Sequence, residues 1–141
     1  MNNNLQNMQD YCNFIRDKLS LSIPVNVFTL LDKLAIKYQP SKIDNDAMYY
    51  EGTIFYDKDR SRQNINFSLA REIGKLLLNE YDAKILNDFA AELLMPKAEF
   101  YSIVYNDPEE KNFVEMKKLA KYFGVTTHMI NTRGQVLNLW K

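Results

Sequence analysis

Three charged residues stand close together near the middle of the chain: Arg71, Glu72 and Lys75. On a helix, Arg71 and Lys75 lie one turn apart and share a face, and Glu72 precedes Lys75 by three residues. A carboxylate between two cations stays ionised, because both neighbours favour its charged form. Such a group works as a general base only beside something to activate, a metal-bound water or a nucleophile. Other reactive groups are scarce. His128 is the one histidine and Cys12 the one cysteine. No serine or cysteine has the surroundings of an activated nucleophile. The four glycines are scattered and build no phosphate loop.

The elements that must hold these residues can be read from apolar spacing. Leu5, Met8, Cys12, Ile15 and Leu19 recur at three- and four-residue steps, which predicts an opening amphipathic helix with Cys12 as a small buried hydrophobe. Val27, Leu30, Leu31, Leu34 and Ile36 predict a second helix over 27–38, stopped by Pro40. The texture then turns β-prone. Met48 to Tyr50, Thr53 to Tyr56 and Ile65 to Phe67 read as strands, separated by turn signals at Glu51-Gly52 and at Asp57 to Arg60. Helical periods return over 67–81, with Ser68 as the expected N-cap, and over 85–95, ended by Pro96. Asp107-Pro108 reads as a turn, and two short helices, 114–123 and 126–133, flank Gly124. Helices, a small antiparallel sheet and then helices again make the expected class α+β.

At 141 residues the chain suits one domain spanning 1–141. Apolar residues make up 46% and charged residues 26%, and Lys plus Arg equals Asp plus Glu. That balance argues against a surface built throughout for nucleic acid or an anionic membrane. One cysteine allows no internal disulfide and fits a reducing cytoplasm. No apolar run approaches a membrane span, and the Asn- and Gln-rich start has no signal-peptide pattern. A cytoplasmic location is expected.

Three segments carry a resemblance. Phe67 to Leu78, FSLAREIGKLLL, resembles the active-site helix of the ImmA/IrrE family of zinc peptidases, roughly FTLAHELGHLLL. Asn87 to Pro96, NDFAAELLMP, resembles that family's ANxFAAELLMP helix. Leu119 to Thr126, LAKYFGVT, is similar to its LAxxFGVS. The three occur in order with plausible gaps. The resemblance implies a zincin-like domain in which two histidines four residues apart hold zinc, and the intervening glutamate activates the bound water. Here those histidine positions are Arg71 and Lys75, and only the base survives, as Glu72. The third ligand position falls on Ala83. Asp82, beside it, is the nearest spare carboxylate.

The expectation is therefore a pseudo-peptidase with no metal or other cofactor, in which Arg71 and Lys75 replace the metal's charge and pair with Glu72, Asp82 or Glu92. The plainer alternative makes both cations ordinary surface charges. Members of the resembled family are often carried by phages and mobile elements, and active ones relieve repression by acting on helix-turn-helix repressors. An inactive copy is expected to bind a protein partner, as an anti-repressor or as an inhibitor of a host protein. Its expected surface is Tyr49, Tyr50, Phe55 and Tyr56 with Arg71 and Lys75, since aromatic residues dominate interface hot spots. Two alternatives stand beside this. One is a DNA-binding regulator using the helix-turn-helix-like segment 114–133, with Lys117, Lys118 and Lys121 on phosphates and Thr127, Asn131 and Arg133 toward the groove. The other is a peptidase with a non-standard site.

Overall fold

The computed structural model describes residues 2–106 and 113–140. Helix α1 (Asn2–Lys18) and helix α2 (Val27–Lys33) come first. Strands β1 (Lys37–Ser41), β2 (Ala47–Tyr50) and β3 (Thr53–Asp57) follow. The long helix α3 (Arg62–Leu78) leads into α4 (Ala83–Leu94), α5 (Lys97–Asn106), α6 (Phe113–Phe123) and α7 (Thr127–Val136). The class is α+β, as expected. The turn expected at Asp107-Pro108 lies outside the described residues.

The sheet departs from the expectation in being mixed. Its order is β1-β3-β2, with β2 antiparallel to β3 and β1 parallel to it. The hairpin between β2 and β3 turns on Glu51 and Gly52, both at positive φ, joining Tyr50 to its partner Thr53. That is the two-residue turn whose twist suits an antiparallel pair.

Strand β1 replaces the second half of the helix expected over 27–38. Helix α2 ends because Ala35 takes positive φ and Ile36 N–H returns to the carbonyl of Leu31. This is a Schellman-type stop, built without the glycine that normally signals it. Pro40 then sits inside β1, which an edge strand tolerates. The segment 65–67 is helical and not a strand. Helix α3 starts earlier than expected, at Ser61, whose hydroxyl accepts the Asn64 N–H at 3.2 Å. Ser68 is a buried residue within that helix.

One continuous apolar core joins these elements, with Leu30, Leu31, Ile54, Leu69, Ile73, Phe89 and Leu93 fully buried. Helices α3 and α4 pack against each other, and Gly74 lets them close up. A Cβ on Gly74 would meet the Phe89 ring at 2.8 Å. Cys12 is fully buried, as expected, and its thiol donates to the Phe89 carbonyl at 3.8 Å. Burial pushes that thiol up to about 12, so it stays protonated and inert.

Candidate functional site: a charged cluster on helix α3

Arg71, Glu72 and Lys75 occupy the middle of α3, the helix that supports β2 and β3 from below and pairs with α4. The local sequence forms this helix through a serine cap, a buried stripe of Ile65, Leu69 and Ile73, and an asparagine stop at Asn79 in the left-handed region. Glu72 is buried to 5% exposure. Its Oε2 accepts the ammonium of Lys75 at 2.7 Å, while the Lys75 side chain keeps 33% exposure. The other carboxylate oxygen, Oε1, is buried without a hydrogen-bond partner, and so is Nε of Arg71.

The two remaining carboxylates expected to join these cations are employed elsewhere. Asp82 caps α4, its Oδ1 accepting the N–H groups of Lys84 and Ile85 at 2.9 and 3.2 Å. Ala83 is the exposed first residue of that helix. Glu92 lies in a separate buried network. Its Oε1 accepts Arg133 at 2.7 Å, and its Oε2 lies 3.6 Å from Arg16 and accepts the Lys97 N–H at 3.2 Å. The two guanidiniums also donate to the open carbonyls at the end of α4. Arg16 reaches Glu92 and Leu93, and Arg133 reaches Met95. The negative end of the α4 dipole thus balances the second positive charge.

The sequence reading missed this triad. A signal was present: Arg16 falls four residues after Cys12 on the buried stripe of α1, and Glu92 interrupts the apolar run Ala90 to Leu94. A charge at such a position needs a buried partner.

The expected aromatic surface divides. On the edge strand β2, Tyr49 and Tyr50 are 44% and 59% exposed. Met48, which the reading did not single out, is 37% exposed and stands opposite half-buried Phe55 on β3. Tyr56 is a correction: its ring packs edge-on against Phe28 at 5.5 Å and belongs to the packing.

The helix-turn-helix-like segment forms as α6 and α7, and one of its expected groove-facing residues is corrected. Lys117, Lys118 and Lys121 are exposed on α6, and Thr127 is half-buried at the start of α7. Arg133, expected toward a groove, is 3% exposed and held by Glu92. Asn131 accepts the indole N–H of Trp140 on Oδ1 at 3.0 Å. His128 is exposed at the mouth of a cavity of about 260 Å³ between α3, α4 and α7, floored by Phe67, Ala91, Met95 and Met129.

The family model for the IrrE N-terminal-like domain, a peptidase family, matches residues 31–134. The chain belongs to that family. No curated protein matches it. Helix α1, which supplies Arg16 and Cys12, lies before the matched span of this IrrE-like domain. Among the described residues no three His, Cys, Asp or Glu side chains converge as a metal centre requires, and no helix is long and apolar enough to cross a membrane.

The zinc ion implied by the peptidase resemblance does not fit the cluster on α3. A zinc site takes neutral imidazole, thiolate or carboxylate donors. Here the cluster offers two cations and one buried carboxylate, and that carboxylate is already bonded to Lys75 at 2.7 Å.

Proposed function

We propose that this IrrE-like domain works by holding a protein partner and not by cutting one. The observation that carries the reading is the ion pair between Lys75 and Glu72. In a zinc peptidase the charge beside this carboxylate belongs to the metal, and the carboxylate takes a proton from metal-bound water. Here a tethered ammonium supplies that charge, and no water is activated. The surface left for binding is the α3 cluster together with the exposed edge strand β2. Such an edge presents unpaired backbone groups that an added strand can use. The partner class this favours is a regulator, sequestered or blocked by the cleft, in the manner of an anti-repressor or an inhibitor. Burial of Arg133 against Glu92 takes one of the expected groove-facing residues away from a DNA-reading helix, which favours the protein-binding reading.

The deciding experiment is elemental analysis of the purified chain, with a zinc titration and a peptide-cleavage assay on the same sample. Absence of stoichiometric zinc, of zinc binding and of cleavage is expected. Stoichiometric zinc together with cleavage that Glu72→Gln abolishes would sink the reading.

A further inference from the structure

The cavity between α3, α4 and α7 is separate from the charged cluster, since Arg71, Glu72 and Lys75 do not line it. Its volume is about 260 Å³, and Phe67, Ala91, Met95 and Met129 give it an apolar floor. A dry cavity of about 150 Å³ already holds a benzene ring, so this one has room for a fused pair. A buried cation also lines it: Arg133, which is 3% exposed. Its Nε donates to the Met95 carbonyl at 3.0 Å, and its Nη2 donates to Glu92 at 2.7 Å. The third nitrogen, Nη1, has no hydrogen-bond partner among the described residues, and it is not one of the sealed orphan atoms. The cavity is the open space that this side chain meets.

We infer that the cavity binds a small carboxylic acid with a flat apolar body, its carboxylate on Nη1 of Arg133 and its body against Phe67, Met95 and Met129. The buried network holds two guanidiniums, Arg16 and Arg133, around the one carboxylate of Glu92. An anion on Nη1 evens that formal charge and uses an open, charge-assisted donor. Water on Nη1 would leave the apolar floor wetted, whereas an apolar acid satisfies both. Methionine walls adapt to the outline of a ring. At the mouth, Asn87, His128 and Thr132 can all donate hydrogen bonds, which also suits an acceptor ligand. Asp88 is the one acid among the lining residues. Its side chain is 34% exposed, and its Oδ2 lies 3.2 Å from the Lys84 ammonium. An ionic contact is worth more at the dry arginine than at this screened carboxylate.

The test titrates naphthoate, the matching alcohol naphthylmethanol and the matching amine naphthylmethylamine into the full chain, with isotope-labelled methionine methyl groups followed by NMR. Naphthoate is expected to bind one-to-one and to shift the Met95 and Met129 signals. Met8 and Met48, which lie outside the cavity, should not move. The acid should bind about ten- to hundredfold more tightly than the alcohol. Ala91→Leu, which fills the floor, should abolish the shifts, and Arg133→Leu should remove the preference for the acid. Each variant is first shown to be folded by its thermal melt. If Arg133→Leu does not fold, Ala91→Leu and the ratio of acid to alcohol decide. Equal binding of acid and alcohol, tighter binding of the amine, or no binding of naphthoate would each overturn the inference. So would shifts that miss Met95 and Met129 or survive Ala91→Leu, and so would a preference that survives in folded Arg133→Leu.

Discussion

The ammonium of Lys75 lies 2.7 Å from the carboxylate of Glu72, one turn earlier on the same helix. Pairs at this spacing on an exposed helix stabilise it by only a few tenths of a kcal/mol. This one differs because the carboxylate side chain is 6% exposed. Removing the ammonium would leave a buried charge without its counter-ion, which costs far more than a surface pair contributes. The same amine that stabilises the helix also satisfies the charge of the buried carboxylate.

Building the resembled family's ligand set into this cluster is the most direct prediction. The triple variant Arg71→His, Lys75→His and Ala83→Glu restores two imidazoles at helical spacing, a free Glu72 and a carboxylate at the first turn of α4. It should take up zinc at one ion per chain, measured by elemental analysis after dialysis, where the wild-type chain takes none. A folded triple variant that binds no zinc would show that Ala83 does not occupy the third ligand position.

Glu92 should matter for stability and not for binding. Glu92→Ala leaves Arg16 and Arg133 facing each other across a buried space without their shared carboxylate. Breaking a buried network by removing one partner costs about 3–5 kcal/mol. Chemical denaturation should show a loss of that order, and hydrogen exchange should show α1 losing protection first, because Arg16 ties it to the end of α4. A loss below about 1 kcal/mol would place the network in the range of a surface pair.

Much of this arrangement was legible in the sequence, and the exceptions have physical reasons. The helices that became α3, α4, α6 and α7 announced themselves through their apolar period, although α3 is capped by Ser61 and not by the expected Ser68. Thr126 caps α7 by accepting the Met129 N–H at 3.1 Å, two residues after Gly124 at positive φ. Strand β1 was not legible. Its helix stop uses Ala35 in place of glycine, and Pro40 reads as a breaker wherever the sheet partner is unknown. Parallel pairing with β3 is a long-range choice that leaves no local trace. The cluster of Arg71, Glu72 and Lys75 was legible as a cluster. Which carboxylate would take which cation was not, because Glu92 and Asp82 are claimed by partners that only tertiary packing brings near.

Gly134 should prove intolerant of even one methyl group. A Cβ there would fall 1.9 Å from Cζ2 of Trp140, an indole that hydrogen-bonds Asn131 and packs on Phe100. The indole is a rigid ring and cannot bend away, so Gly134→Ala should expel it. Overpacking of this kind costs about 1–3 kcal/mol, partly offset by alanine's better helix propensity. Trp140 is the only tryptophan, so its fluorescence reports the event directly. A red-shifted emission with a lowered melting temperature is expected, and an unchanged spectrum would count against the packing of the final turn.

The acid limb of stability should depend on Asp57. This residue ends β3 and organises the turn into α3, accepting the Asp59 N–H at 3.0 Å and the Arg60 Nε at 2.9 Å. The backbone N–H from Asp59, with Arg60 second, holds its carboxyl below the usual aspartate range. The sign follows from linkage. A carboxyl with a lowered folded value contributes stability that is complete above the unfolded value, about 3.9, and is lost as pH falls through the folded one. Asp57→Asn removes the ionisation while keeping an acceptor for Asp59. The melting temperatures of wild type and variant should differ by a constant amount above about pH 5 and converge as the pH drops below about 4. A gap that stays constant down to the acid unfolding transition would mean that the carboxylate's charge contributes nothing, and that the turn is held by its backbone bonds alone.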